Sequence, residues 1–180
     1  MLPVPLRTAD SLDAKEVKYE DASGFAMTGY LALSETTADG PLPAVIVVQD
    51  GSKPTVAGYE TRRARMWADL GYVAFAADVY GDDDGGYDLS AQGGEYFDLL
   101  RRDASLTNPW IDAAIDAVLA NANVDPGRVA LTGYCFGETL VISYATSGAT
   151  RAAGIFSFHG GLSAGVAPPE EGPYRQGSTT

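Results

Sequence analysis

The chain of 180 residues has one cysteine, Cys135, and one histidine, His159. A lone cysteine excludes an internal disulfide, so the fold must be held by its own core. It also fits a reducing compartment, and a cytoplasmic protein is the expectation. One Cys, one His and scattered carboxylates do not make a zinc ligand set, so neither a metal nor another cofactor is expected. Lysine is confined to Lys15, Lys18 and Lys53. Lys and Arg total 12 against 24 Asp and Glu, a formal net charge of -12. Nucleic-acid phosphates would repel such a chain, which argues against a nucleic-acid partner. No apolar run is long enough to cross a bilayer, and Met1 to Arg7 lacks the apolar core and cleavage site of a secretory signal. A membrane partner is therefore not expected. Asp82-Asp83-Asp84 lacks the spacing of a calcium-binding loop and reads as a solvated acidic loop.

The residues that are present describe a globular domain, 46% hydrophobic and 20% charged. Glu16 to Tyr19 and Phe25 to Leu33 read as a strand pair turning at Asp21-Ala22-Ser23-Gly24. Thr36 to Pro43 reads as a polar loop. Ala44 to Val48 is a continuous β-branched run, the pattern of a strand buried on both faces of a parallel sheet. Gln49-Asp50-Gly51-Ser52 follows it and is a site candidate, because ligands of open α/β sheets bind beyond the carboxyl ends of strands. Tyr59 to Leu70 reads as a helix stopped by Gly71, and Tyr72 to Val79 as the next strand. Ser90 to Arg102 reads as a helix weakened at its start by Gly93-Gly94. Asn108-Pro109 has the form of a cap and first turn, followed by an apolar face of Ile111, Ala114, Ile115, Val118, Leu119 and Ala122. Asp125-Pro126-Gly127 turns the chain into another apolar run.

That run ends in Gly133-Tyr134-Cys135-Phe136-Gly137, and a helix-compatible segment follows to about Ser147. Strand, sharp turn and helix around G-x-C-x-G form the context of a nucleophile elbow, with Cys in place of Ser. Small flanking residues suit a crowded turn, and the start of the helix would favour a thiolate. The simpler alternative is a buried structural cysteine. Ala153 to Phe158 reads as a last strand. The expected organisation is one α/β domain over residues 1–162 with an irregular or disordered tail over 163–180.

The elbow resembles that of the dienelactone hydrolase family, the carboxymethylenebutenolidases and their relatives. Gly29-Tyr30-Leu31-Ala32, Pro43 to Val48, Arg63-Ala64, Leu70 to Ala74, Asp78-Val79-Tyr80-Gly81, Val124-Asp125-Pro126 and Ser157 to Leu162 agree with it in order. The resemblance implies an α/β-hydrolase fold, a mostly parallel central sheet flanked by helices. It further implies a Cys-His-Asp triad acting on small-molecule lactones or esters. Cys135 matches the nucleophile, and the oxyanion donors would be the amides of Phe136 and Gly51. The family's His-Glu pair after the Ala44–Val48 strand is replaced by Gln49-Asp50, which makes Asp50 a candidate modulator of the thiol. Glu138 stands where the family commonly has a second glycine. A carboxylate there suits the helix dipole but would oppose a thiolate.

In the family the triad Asp and His come from loops after two later strands, and no segment beyond Leu162 resembles them. The expectation is a chain lacking those last strands, with hydrolysis impaired. His159 is a candidate base, but the family carries a His here and uses a later one, which favours a supporting role. An open sheet edge would invite self-association. The alternatives are an inactive hydrolase-derived fragment or interaction protein, and a redox-responsive protein built on one exposed thiol.

Overall fold

The computed structural model describes residues 14–33, 40–82 and 88–159. Of the expected polar loop, residues 36–39 fall outside them and Leu42 and Pro43 belong to a strand; most of the acidic loop and everything beyond His159 also fall outside. Among the described residues, six strands form one sheet in the order β1-β2-β4-β3-β5-β6. β1 (Ala14–Glu20) and β2 (Ala26–Ala32) are an antiparallel hairpin, and β2 also runs antiparallel to β4 (Val73–Ala77). β4, β3 (Leu42–Val48), β5 (Val124–Tyr134) and β6 (Gly154–Phe158) are mutually parallel. The sheet is thus mixed but mostly parallel, as expected. Helices α1 (Tyr59–Asp69), α2 (Leu89–Arg102), α3 (Ala104–Asn121) and α4 (Phe136–Thr146) link and flank the strands.

The unbroken apolar strands follow from cover on both faces. Ala44, Ile46, Val48, Val73, Phe75 and Ala77 share one cluster with Tyr96 and Leu100 of α2, Ile111, Ala114 and Ile115 of α3, and Leu140 of α4. Val47, Ala74 and Ala76 face the other way and pack with Ala64 and Ala68 of α1. Burying each such aliphatic or aromatic side chain contributes about 1.5–3 kcal/mol. In β2, Gly29 admits no side chain, since a Cβ there would lie 2.3 Å from the Phe75 ring.

Two boundaries differ from the sequence expectation. α3 begins at Ala104, and Pro109 lies inside it. The cap is Asp103, whose carboxylate accepts from the Ser105 amide at 2.9 Å. The proline removes one helical bond, but Trp110, Ile111, Ala114 and Ile115 are buried and hold the helix on the sheet across that defect. Asn108 instead donates through Nδ2 to Ser147 Oγ at 2.8 Å, tying α3 to the end of α4. Second, Asp125-Pro126-Gly127 does not precede β5 but sits within it. Val124 pairs with Leu42 and Val129 with Ala44, so the intervening residues bulge out of the ladder. The Gly127 amide closes the bulge on Asp125 Oδ1 at 2.9 Å.

α2 runs through Gly93-Gly94. Tyr96 and Leu100 are buried, and the Tyr96 hydroxyl donates to the Tyr80 carbonyl at 2.8 Å. Tertiary burial overrides the poor propensity of the two glycines. The cap assignment has a direct check. Asp103→Ala is expected to cost about 1 kcal/mol in urea unfolding while Asp103→Asn costs little. Equal losses would place the start of the helix elsewhere.

Candidate active site

β5 ends at Tyr134 and α4 begins at Phe136, so a single residue makes the turn between them. That residue, Cys135, has φ 51° and ψ -114°. A side-chain-bearing residue at positive φ is strained by about 1–3 kcal/mol and persists only where its surroundings dictate it. Here they do. A Cβ on Gly133 would lie 2.3 Å from the Gly137 carbonyl oxygen. A Cβ on Gly137 would lie 2.2 Å from the carbonyl oxygen of Gln49 and 2.5 Å from that of Val48. The first turn of α4 is therefore pressed onto the ends of β3 and β5, and backbone meets backbone without side chains between. Cys135 is exposed and free. The structure thus sets aside the buried structural cysteine.

The strand end beneath the turn is clamped on both sides. The Cys135 amide donates to the Phe158 carbonyl at 3.2 Å. The Tyr134 and Phe158 rings stack with centroids 4.9 Å apart. The Arg63 guanidinium of α1 lies over the Tyr134 ring at 5.3 Å and the Tyr59 ring at 4.7 Å. Its Nη2 donates to the Tyr59 hydroxyl at 2.7 Å.

In register, Val48 lies opposite Gly133, so Gln49-Asp50-Gly51 leave the sheet beside the elbow. Gln49 is fully buried. Its Nε2 donates to Asp78 Oδ1 at 3.2 Å and its Oε1 accepts from the Val79 amide at 2.6 Å. The Asp50 amide donates to Glu60 Oε1 at 3.3 Å, and the Asp50 carbonyl accepts from the Tyr80 hydroxyl. The Asp50 carboxylate accepts from the amide and hydroxyl of Ser52, both at 2.8 Å. It thus engages its own turn and lies beside the Glu60 carboxyl. Phe136 is buried, and its amide opens α4 directly after the thiol.

His159 follows the last residue of β6, exposed and at φ 47°. Since Tyr134 pairs with Phe158, the His159 backbone leaves the sheet opposite that of Cys135. Glu138 is 2% exposed; Ser157 Oγ donates to its Oε1, and its Oε2 has no partner among the described residues. A shallow surface hollow lined by Val56, Ala57, Arg62 and Arg65 includes neither the thiol nor the two candidate oxyanion amides. No group of three or more His, Cys, Asp and Glu among the described residues is arranged to hold a metal ion.

Two participants in this network carried no role in the sequence, Glu60 and Tyr80. Asp78-Val79-Tyr80-Gly81 stands out as a segment but does not reveal which polar atoms it meets. Burial pushes the Glu60 carboxyl above its ordinary range, and the neighbouring Asp50 charge pushes it the same way. Burial likewise raises Asp78, against the lowering effect of its hydrogen bonds from the Tyr80 amide and Gln49.

The sheet order, the parallel core and the strained strand–turn–helix connection at Cys135 define an α/β-hydrolase-type fold. The model of the dienelactone hydrolase family matches residues 27–176, and the chain belongs to that family. Among solved structures, the protein named m3DLH is 32% identical with a TM-score of 0.70, covering 84% of this chain and 61% of its own. A dienelactone hydrolase-like promiscuous phosphotriesterase from metagenomic libraries is also 32% identical, with a TM-score of 0.66 and coverage of 84% and 60%. The chain thus spans about three fifths of the length of these relatives. An acylaminoacyl peptidase of Pyrococcus horikoshii, 17% identical with a TM-score of 0.63, covers 87% of this chain and 24% of its own and shares the fold. No curated protein matches the chain.

The close approach of α4 sets one prediction. Gly137→Ala is expected to destabilise the protein by about 1–3 kcal/mol, because backbone must move. Gly94→Ala, in α2 with open space around it, is expected to stabilise by up to about 1 kcal/mol. Paired urea titrations check the contrast, and equal effects would contradict the packing. Glu60 sets a second. An unfolded Glu loses its proton near 4.5, whereas the folded chain keeps it to higher pH. The unfolded state thus binds fewer protons in the window above 4.5, and stability falls there as pH rises. Glu60→Gln keeps an acceptor for the Asp50 amide without the charge. It is expected to be more stable than the parent at pH 7, with the gain vanishing below pH 4.5. A gain independent of pH in thermal melts would contradict this.

Proposed function

We propose that the chain carries the nucleophile and oxyanion-binding half of a cysteine-dependent hydrolase of small lactones or esters. The observation that carries this reading is Cys135, exposed at φ 51° on a turn whose close packing Gly133 and Gly137 permit. In the proposed reaction the Cys135 thiolate attacks the acyl carbon. The carbonyl π pair moves to oxygen, and the resulting oxyanion is met by the Phe136 and Gly51 amides. Collapse expels the alkoxide, which takes a proton from water, and leaves a thioester on Cys135. Water then cleaves the thioester to the carboxylic acid and the thiol. For a lactone, the alcohol and acid are the two ends of one opened ring. No cofactor enters the scheme. A reducing compartment, the cytoplasm among them, would preserve the thiol it needs.

The proposal extends to organisation. Residues 1–162 act as one α/β-hydrolase unit, and the expected tail over 163–180 lies outside the described residues. The family resemblance draws its triad Asp and His from beyond the strands described here. Hydrolysis of the thioester is the step that needs such a base. His159 is the base to test first, since it leaves the sheet opposite Cys135. Asp50 is the weaker candidate for tuning the thiol, because its carboxylate is engaged by Ser52.

A second reading, self-association in place of catalysis, is favoured by one observation. Phe156 and Phe158 on β6 are 49% and 42% exposed, and among the described residues that strand pairs only with β5. Sedimentation of the chain against Phe156→Ser tests it, with dimer expected only for the parent.

The primary test is release of nitrophenol from p-nitrophenyl acetate. At least one equivalent per chain is expected, with none above background from Cys135→Ala. Impaired deacylation would appear as a burst followed by slow turnover, made slower still by His159→Ala if that residue is the base. Equal release by parent and Cys135→Ala would overturn the proposal.

A further inference from the structure

The loop after β3 is held by a residue that touches both halves of the proposed oxyanion site. Tyr80, three residues past the end of β4, is fully buried. Its hydroxyl donates to the Asp50 carbonyl, which can only accept. That carbonyl belongs to the same peptide group as the Gly51 N–H. A trans peptide is planar, with C=O and N–H pointing in opposite directions. Fixing the Asp50 oxygen therefore fixes the direction of the Gly51 hydrogen. Nothing else on Gly51 could do so, since it has no side chain and a Cβ there would meet nothing within 4 Å.

The other end of Tyr80 reaches the second donor. Its ring lies 6.1 Å from that of Phe136 and 5.4 Å from that of Phe97, and Phe97 in turn lies 5.0 Å from Phe136. One side chain thus holds the peptide that carries the first donor and packs, ring to ring, on the residue that carries the second. Its backbone is fixed in turn, because the Tyr80 amide donates to Asp78 Oδ1 at 2.8 Å and the Tyr80 carbonyl accepts from Tyr96. Asp78 also accepts from Gln49, the residue before Asp50. Burial and the charges of Asp50, Asp78 and Glu60 raise the Tyr80 hydroxyl well above its ordinary pKa, so the donor keeps its proton across the working range.

We infer that Tyr80 is a positioning residue for the oxyanion hole, locking the Asp50–Gly51 peptide so that the Gly51 N–H is held ready for a developing negative charge. The inference rests on the proposed acyl-transfer reading of Cys135. It differs from a purely structural role in what it slows. Acylation of Cys135 by an ester passes through an oxyanion, whereas alkylation by iodoacetamide displaces iodide and forms none.

The test compares both second-order rate constants in the parent and Tyr80→Phe, which keeps the ring against Phe136 and removes only the hydroxyl. Losing one oxyanion donor outright costs about 100- to 1,000-fold. Loosening one is expected to slow acylation by p-nitrophenyl acetate about 10-fold, with alkylation unchanged. Tyr144→Phe, which loses a hydroxyl bound to Asp112 at the far side of α4, is expected to leave acylation within about twofold and serves as the packing control. Equal acylation by Tyr80→Phe and the parent would overturn the inference and leave the acyl-transfer reading intact. Parallel losses in acylation and alkylation would also overturn it, since they report a disturbed thiol or fold. A parent chain that is alkylated but never acylated would overturn the acyl-transfer reading itself, and the inference with it.

Discussion

The whole site depends on one close approach, the first turn of α4 lying against the carbonyl ends of β3 and β5. Gly133 and Gly137 permit it because neither presents a Cβ where a carbonyl already lies. Once the helix is seated there, the connection from β5 has one residue in which to reverse direction. Cys135 makes that reversal at φ 51° and ψ -114°. The strain at Cys135 is small beside the burial of Leu140, Val141 and Tyr144, which anchors α4 to the sheet. Exposure of the sulfur is thus a consequence of packing elsewhere in the domain.

The same contact brings the loop after β3 next to the elbow. Gln49, Asp50 and Gly51 follow a strand buried on both faces, so they leave the sheet at a fixed height. What they do there is decided by buried polar groups. Gln49 and Asp78 join the ends of β3 and β4, Glu60 accepts from the Asp50 amide, and Tyr80 donates to the Asp50 carbonyl. Buried polar groups of this kind stabilise a single arrangement when satisfied and are costly when they are not. Glu60 and Glu138 each keep one unpartnered buried oxygen among the described residues. Both side chains lie against the loop or the helix that frame the thiol.

Much of this architecture could be read in the sequence. The β-branched run of β3 and the alternation of β2 mark strands, and glycines around Cys135 between a strand and a helix mark the elbow. What escaped the reading was decided by contacts distant in the chain. Asn108-Pro109 has the local form of a helix start, yet Asp103 caps α3 and the burial of Trp110 and Ile111 carries the helix through the proline. Asp125-Pro126-Gly127 has the form of a turn, yet pairing of Val124 with Leu42 places it inside a strand as a bulge. Tyr80 and Glu60 could not be assigned, because their partners lie 30 and 10 residues away and involve the backbone of Asp50. A backbone acceptor leaves no mark on the sequence of its own residue.

The central claim is that Cys135 is an acyl-accepting nucleophile held in place by the fold. Its most direct test is intact-protein mass spectrometry of the chain, quenched in acid within seconds of mixing with p-nitrophenyl acetate. A single acetyl increment that maps to the peptide containing Cys135, and is removed by neutral hydroxylamine as a thioester would be, is the result this account requires. Acetylation confined to lysine or the amino terminus, with Cys135 unmodified in a folded chain, would contradict it.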